Sequence, residues 1–66
     1  MLNGIEKKIL EELAKRQVMR EEEVASVAGS GYKHALQRLI QLGLVSYVFT
    51  GTPCYVITKE GIRSLS

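Results

Sequence analysis

Five polar side chains near the middle of the chain have a spacing that places them on one face of a helix. They are long or ring-shaped hydrogen-bonding groups: Lys33, His34, Gln37, Arg38 and Gln41. At 100° per residue they span an arc of about 140°, and none of them is acidic. Side chains of these types reach phosphate oxygens and the edges of bases. The pattern therefore favours contact with an anionic partner.

The distribution of charge supports the same prediction, although the net charge of +2 is uninformative by itself. No acidic residue lies between Glu23 and Glu60, whereas Lys33, Arg38 and Lys59 do. A segment of one sign in an otherwise balanced chain indicates an anionic partner. Three cations over this length are also what sparse surface charge would give, so that alternative stays open.

The helix that carries these side chains is predicted to run from about residue 31 to residue 42. Its opposite face is apolar and is expected against the core: Tyr32, Ala35, Leu36, Leu39 and Leu42. Ser30 is expected to cap its first turn, and Gly43 to end it in a left-handed conformation.

Three further helices and a hairpin are expected around it. The helices are predicted over residues 4–16, about 20–28 and 59–65, and the strands over 44–50 and 54–57. The first helix is read as scaffold with a solvated polar face. Its cap is the pair Asn3 and Glu6, and its core stripe is Ile5, Ile9, Leu10 and Leu13. Residues 17–19 are predicted to form a short extended link, and Thr58 is predicted to cap the last helix.

The composition argues against several classes of protein. A chain of 66 residues is expected to form one domain, residues 1–66, with a small core. One Cys, one His and no Asp provide too few groups for a catalytic or zinc site. We therefore expect no enzyme, no metal and no small-molecule cofactor. No apolar run is long enough for a membrane helix, and the lone thiol of Cys54 fits a reducing cytoplasm.

Two motifs resemble those of winged helix-turn-helix domains in small bacterial and archaeal transcription regulators. Residues 36–45, LQRLIQLGLV, resemble the end of that family's recognition helix, Leu-x-x-Leu-x-x-x-Gly-Leu-Val. Residues 55–61, YVITKEG, resemble its returning wing strand and the start of the next helix. The resemblance implies an α+β fold in which a three-helix bundle packs with a two- to three-stranded β-hairpin wing.

The same resemblance implies sequence-dependent binding of double-stranded DNA by a small transcriptional regulator. The third helix would enter the major groove, and the wing would touch the flanking backbone. The residues it assigns to DNA contact are Ser30, Lys33, His34, Gln37, Arg38, Gln41, Thr50 and Thr52. The resemblance also implies a location in the cytoplasm, at the nucleoid, or in the host cytoplasm if the source is viral. A homodimer would present two reading helices.

The wing departs from the family's pattern and keeps an alternative function open. Its tip, residues 50–53, has no Lys or Arg with which to grip phosphate. Tyr47, Phe49 and Tyr55 would make an apolar wing surface, although we expect Tyr47 and Phe49 to close the core. The alternative is a winged-helix module for protein–protein interaction that does not bind DNA.

Overall fold

The computed structural model describes residues 2–66, which form four helices and a three-stranded antiparallel sheet. The helices are α1 (Gly4–Arg16), α2 (Glu21–Ala28), α3 (Tyr32–Gln41) and α4 (Lys59–Ser64). The strands are β1 (Val18–Arg20), β2 (Val45–Phe49) and β3 (Pro53–Ile57). The predicted α+β class is confirmed, as is the order of helices and hairpin. The segment predicted as an extended link is the strand β1, which pairs with the hairpin.

Side-chain caps fix where the first and last helices begin. At α1, the Asn3 side chain accepts a hydrogen bond from the Glu6 N–H at 2.8 Å. In return, Glu6 Oε1 accepts one from the Asn3 N–H at 3.0 Å. At α4, the Thr58 hydroxyl accepts from the Gly61 N–H at 3.0 Å. Both predicted caps are confirmed, and they satisfy backbone donors that a helix start leaves unpaired.

β3 is the central strand of the sheet, in the order β1-β3-β2. Tyr55 of β3 lies opposite both Met19 of β1 and Tyr47 of β2. Because Met19 is buried, these three side chains define the inner face of the sheet. Alternate residues, including Val18 and Val48, lie on the outer face.

The core lies between the helices and the inner face of the sheet. Its buried apolar members are Ile9, Leu10, Leu13, Met19, Val24, Ala35, Leu36, Leu39 and Val45. Ile5 and Leu42 were expected in this core but are exposed. Ile5 lies in the first turn of α1, and Leu42 follows the last residue of α3, so both stand at helix ends.

The aromatic residues of β2 do not close the core as expected. Tyr47 is 49% exposed and Phe49 is 64% exposed, although both share the inner face with buried Val45. Tyr55 is half-buried against the core, and its ring centroid lies 5.3 Å from that of Tyr47. The hairpin therefore extends beyond the helices, and its far end leaves these side chains in solvent.

The start of α4 holds the connection between α3 and β2. Gly43 ends α3 with φ +77°, the left-handed conformation that was predicted and that favours glycine. The Thr58 hydroxyl donates to the Gly43 carbonyl at 2.7 Å, and the Thr58 N–H donates to the Leu44 carbonyl at 3.1 Å. These hydrogen bonds fix the end of α3 relative to the sheet.

Candidate nucleic-acid interface

α3 presents its predicted polar face to solvent. Ala35, Leu36 and Leu39 are buried on the opposite side, which confirms the predicted orientation of the helix. The five outward side chains are all exposed, and together we call them the α3 face: Lys33, His34, Gln37, Arg38 and Gln41. The structure therefore gathers five of the eight predicted contact residues on one surface.

Two open depressions flank the α3 face. One, of about 280 Å³, is lined by His34, Gln37, Arg38 and Gln41. The other is a groove of about 430 Å³ with walls from α2, α3 and β3: Glu21, Lys33, Leu36, Gln37, Ile40, Gln41 and Tyr55. Gln37 and Gln41 line both depressions, so they form the ridge between them. Lys33 and Arg38 consequently lie on opposite sides of this ridge.

A buried carboxylate holds Arg38 in place. Glu6 of α1 is 1% exposed, and its Oε2 forms an ion pair with Arg38 Nε at 2.9 Å. The other oxygen of Glu6 accepts from the Asn3 N–H, so each carboxylate oxygen has a partner. The Arg38 side chain is still 49% exposed. Because the contact runs through Nε, the Nη nitrogens at the end of Arg38 take no part in it.

The role of Glu6 was not predicted, because the capping pattern already explained why an acid stands there. A further signal was present in the sequence. Glu6 precedes Ile9, Leu10 and Leu13 by three, four and seven residues, which is the spacing of the buried stripe. An acid at such a position is expected to be buried and to need a hydrogen-bonding or cationic partner. The spacing does not identify that partner, because Arg38 lies on another helix.

A second acid, Glu21, borders the other side of α3. The Tyr32 hydroxyl donates a hydrogen bond to Glu21 Oε2 at 2.7 Å and so joins the beginnings of α2 and α3. Together, Glu6 and Glu21 place two carboxylates beside a helix whose own sequence has none. The acid-free stretch of the sequence is therefore bordered by acids in space, and the positive potential of α3 is smaller than the sequence implies.

Glu21 also changes the acidity of two tyrosines. Its hydrogen bond, with smaller effects of desolvation and of its charge, raises the pKa of Tyr32 above the ordinary value of 10.0. For Tyr55, burial is the main cause that raises the pKa, followed by the charge of Glu21. The folded state thus holds the Tyr32 proton more tightly than the unfolded chain does. The stability this provides is complete below pH 10.0 and is lost as the pH rises through the higher folded pKa.

Substituting Glu21 with glutamine should lower the pKa of Tyr32 toward its ordinary value, because a neutral amide does not oppose formation of the phenolate. Titration of tyrosine absorbance measures the change, and Tyr32→Phe identifies which transition belongs to Tyr32. If Glu21→Gln leaves the Tyr32 titration unchanged, the two side chains are not hydrogen-bonded in solution.

The other three predicted contact residues lie outside α3 itself. Ser30 is exposed in the turn before α3, but it does not cap the helix. The N-cap is Gly31, whose φ of +88° is left-handed, so the chain enters the helix one residue later than predicted. Thr50 and Thr52 are exposed at the hairpin tip, and Thr52 lines a separate depression beside Arg20. The structure does not bring these threonines together with α3.

Within residues 2–66, no three histidine, cysteine or acidic side chains lie together so that they could hold a metal ion. No helix in the same part of the chain has the length and apolar character needed to cross a bilayer. Cys54 is half-buried on β3, and its Sγ lies 3.5 Å from the Thr52 carbonyl oxygen.

Comparison with known proteins adds no relative to this description. No family model, no curated protein and no solved structure matches the chain. A function has therefore to be inferred from the residues and geometry of this molecule.

Proposed function

We propose that this chain is a winged-helix domain that binds double-stranded DNA and acts as a small transcriptional regulator. The observation that carries the proposal is the α3 face, on which five long polar side chains are exposed together and none is acidic. Proteins read DNA with side chains of this kind on a helix that fits the major groove. Occupation of a promoter would block the polymerase without any ligand. In a cell the domain would act in the cytoplasm, at the DNA.

The arrangement of elements supports the winged-helix part of the proposal. α2 and α3 are joined by only three residues, 29–31, which is typical of a helix-turn-helix. The β2–β3 hairpin follows α3 directly, and β1 pairs with β3 on the side away from β2. In such a domain the second helix of the pair enters the major groove, and the hairpin lies over the neighbouring backbone.

The chemistry of the α3 face assigns a separate role to each side of its ridge. Gln37 on the ridge can accept from and donate to an adenine at once. Arg38 on one side would offer its Nη groups to a guanine, with Glu6 fixing the direction of the guanidinium. Lys33 on the other side suits a phosphate, because an ammonium acts as a point charge that needs no fixed orientation. His34 adds an imidazole ring that can donate a hydrogen bond to a phosphate or to a base.

Substituting Lys33 with alanine should weaken DNA binding and reduce the salt slope of the binding constant by about 1, the value for one lost phosphate contact. Lys33 is the most informative position, since within residues 2–66 it forms no ion pair that the change would break. Binding of a random duplex, measured by gel shift over a series of salt concentrations, gives the slope.

Lys15→Ala is the matched control for this experiment. It removes the same charge from an exposed lysine on α1, outside the α3 face, and its ion-pair partner Glu12 stays paired with Arg16. The proposal requires that Lys15→Ala keep the wild-type slope while Lys33→Ala loses part of it. Equal salt slopes for the two variants would mean that Lys33 of α3 does not contact DNA. Binding by the wild type that is absent or independent of salt would overturn the DNA function itself.

One observation favours a second candidate, a winged-helix module that contacts another protein instead of DNA. Tyr47 and Phe49 expose large aromatic surfaces on β2, and the hairpin tip has no cation for phosphate. Aromatic side chains are enriched in protein interfaces. The salt series separates the two candidates, because a module of this second kind gives no salt-dependent binding of a duplex.

A further inference from the structure

The sheet has two edges, and they differ in how well they are protected. One edge is β1, which has three residues and ends in the charged Arg20. The other is β2, whose five residues, Val-Ser-Tyr-Val-Phe, pair with β3 on one side only. Proteins keep edge strands from pairing with other chains by making them short, charged, bulged or interrupted by proline. β1 is short and charged, whereas β2 shows none of these devices.

The edge of β2 is regular along its whole length. All five of its residues, Val45–Phe49, lie opposite successive residues of β3 with no bulge. The strand is uncharged, and so is the whole stretch from residue 39 to residue 58. Four of the five residues are exposed, and Phe49 is more exposed than any other large apolar residue of the described chain. A strand with these properties is ready to accept another strand at its edge.

We propose that β2 pairs with β2 of a second copy of this chain, so that two sheets join into one of six strands. The neutrality of the strand favours a second copy as the partner. In a two-fold antiparallel pair, the strand meets its own sequence reversed, so a charge on the axis would face its copy and a charge next to the axis would lie diagonally across from its copy. A strand without charge is compatible with this arrangement. The register that pairs all five residues places Tyr47 opposite its own copy on the axis.

The side chains next to the axis add contacts that the isolated chain lacks. In this register Val45 lies opposite Phe49 of the second copy on the inner face. Ser46 lies opposite Val48 on the outer face. The pairing covers the exposed Phe49 and Tyr47 and satisfies the free backbone groups of the edge. The inference stands independently of the proposed DNA function, since it uses no residue of the α3 face.

Sedimentation of the full chain over a range of concentrations tests this inference. The average mass of the wild type should rise from that of one chain toward that of two as the concentration rises. Val48→Lys should weaken the association by about tenfold or more. The matched control is Val18→Lys, which adds the same charge on the same outer face but at the edge formed by β1. Val18→Lys should associate as the wild type does.

Hydrogen exchange of the wild type provides a readout that does not depend on any variant. Backbone amides of β2 that point away from β3 should exchange more slowly as the concentration rises, while those of β1 should not change. A wild type that remains a monomer at every concentration would overturn the inference. Equal loss of association in Val48→Lys and Val18→Lys would also overturn it, because the contact would not then lie at β2.

Discussion

Replacing Gly61 with alanine should lower the free energy of unfolding by about 3 kcal/mol or more. Gly61 is buried where α4 crosses the connection between α3 and β2. A Cβ atom there would overlap the Leu44 carbonyl oxygen and would stand 2.7 Å from Cγ1 of Ile57. The first of these contacts is with backbone, which cannot turn aside as a flexible side chain can. α4 would therefore have to move.

Movement of α4 would also break the hydrogen bonds that Thr58 makes at the helix start. Its hydroxyl accepts from the Gly61 N–H and donates to the Gly43 carbonyl, so one displacement affects both. A domain of this length is expected to have a total stability of about 3–10 kcal/mol. Gly61→Ala would remove a large share of that, and the end of α3 would lose its support.

Gly4→Ala is the control for this substitution, and urea unfolding followed by circular dichroism measures both variants. Gly4 is the first residue of α1, and no atom lies within 4 Å of the position that its Cβ would take. Alanine there should be neutral or stabilise by up to about 1 kcal/mol, since it restricts the unfolded chain. If Gly61→Ala unfolds at the same urea concentration as the wild type, α4 does not pack on the Leu44 turn in solution.

Local signals explain why much of the fold could be predicted. The Asn3–Glu6 pair, Gly43 and Thr58 each act within a few residues of their own position, and each marks a helix boundary that the structure has. β1 was predicted only as an extended link, because three residues have no pattern of their own and become a strand by pairing with β3. The exposure of Phe49 depends on where the hairpin extends past the helices, which alternation along a strand does not specify.

The members of the candidate site that lie on α3 could be predicted from the sequence, whereas the residues that pack beside them from other helices could not. The α3 face follows from the period of one helix, and its five side chains are exposed as expected. The acids beside it, Glu6 and Glu21, come from two other helices, so the charge around α3 depends on packing. Sequence distance is a poor guide to electrostatics, because an acid far away along the chain can lie within hydrogen-bonding distance.

Replacing Arg38 with alanine should destabilise the fold by about 2–4 kcal/mol, far more than is usual for a half-exposed residue. The reason lies in its partner. Glu6 would lose the cation that pairs with its Oε2, and the Asn3 N–H would be its one remaining hydrogen-bond donor among residues 2–66. Lys33→Ala is the control, because it removes a cation from the same helix without breaking an ion pair within residues 2–66, and it should change stability by no more than about 0.5 kcal/mol.

A double-mutant cycle with Glu6→Gln separates the ion pair from the other effects of each change. Glutamine can still accept from the Asn3 N–H, but it has no charge that needs Arg38, so Glu6→Gln should cost about 1–2 kcal/mol. The loss in the double variant should then be smaller than the sum of the two single losses by about 1–3 kcal/mol. Unfolding in urea gives all four values. Additive losses would mean that Arg38 does not hold Glu6 in solution. The charge of the guanidinium would then not be offset by Glu6, and the guanidinium would have no fixed direction on the α3 face.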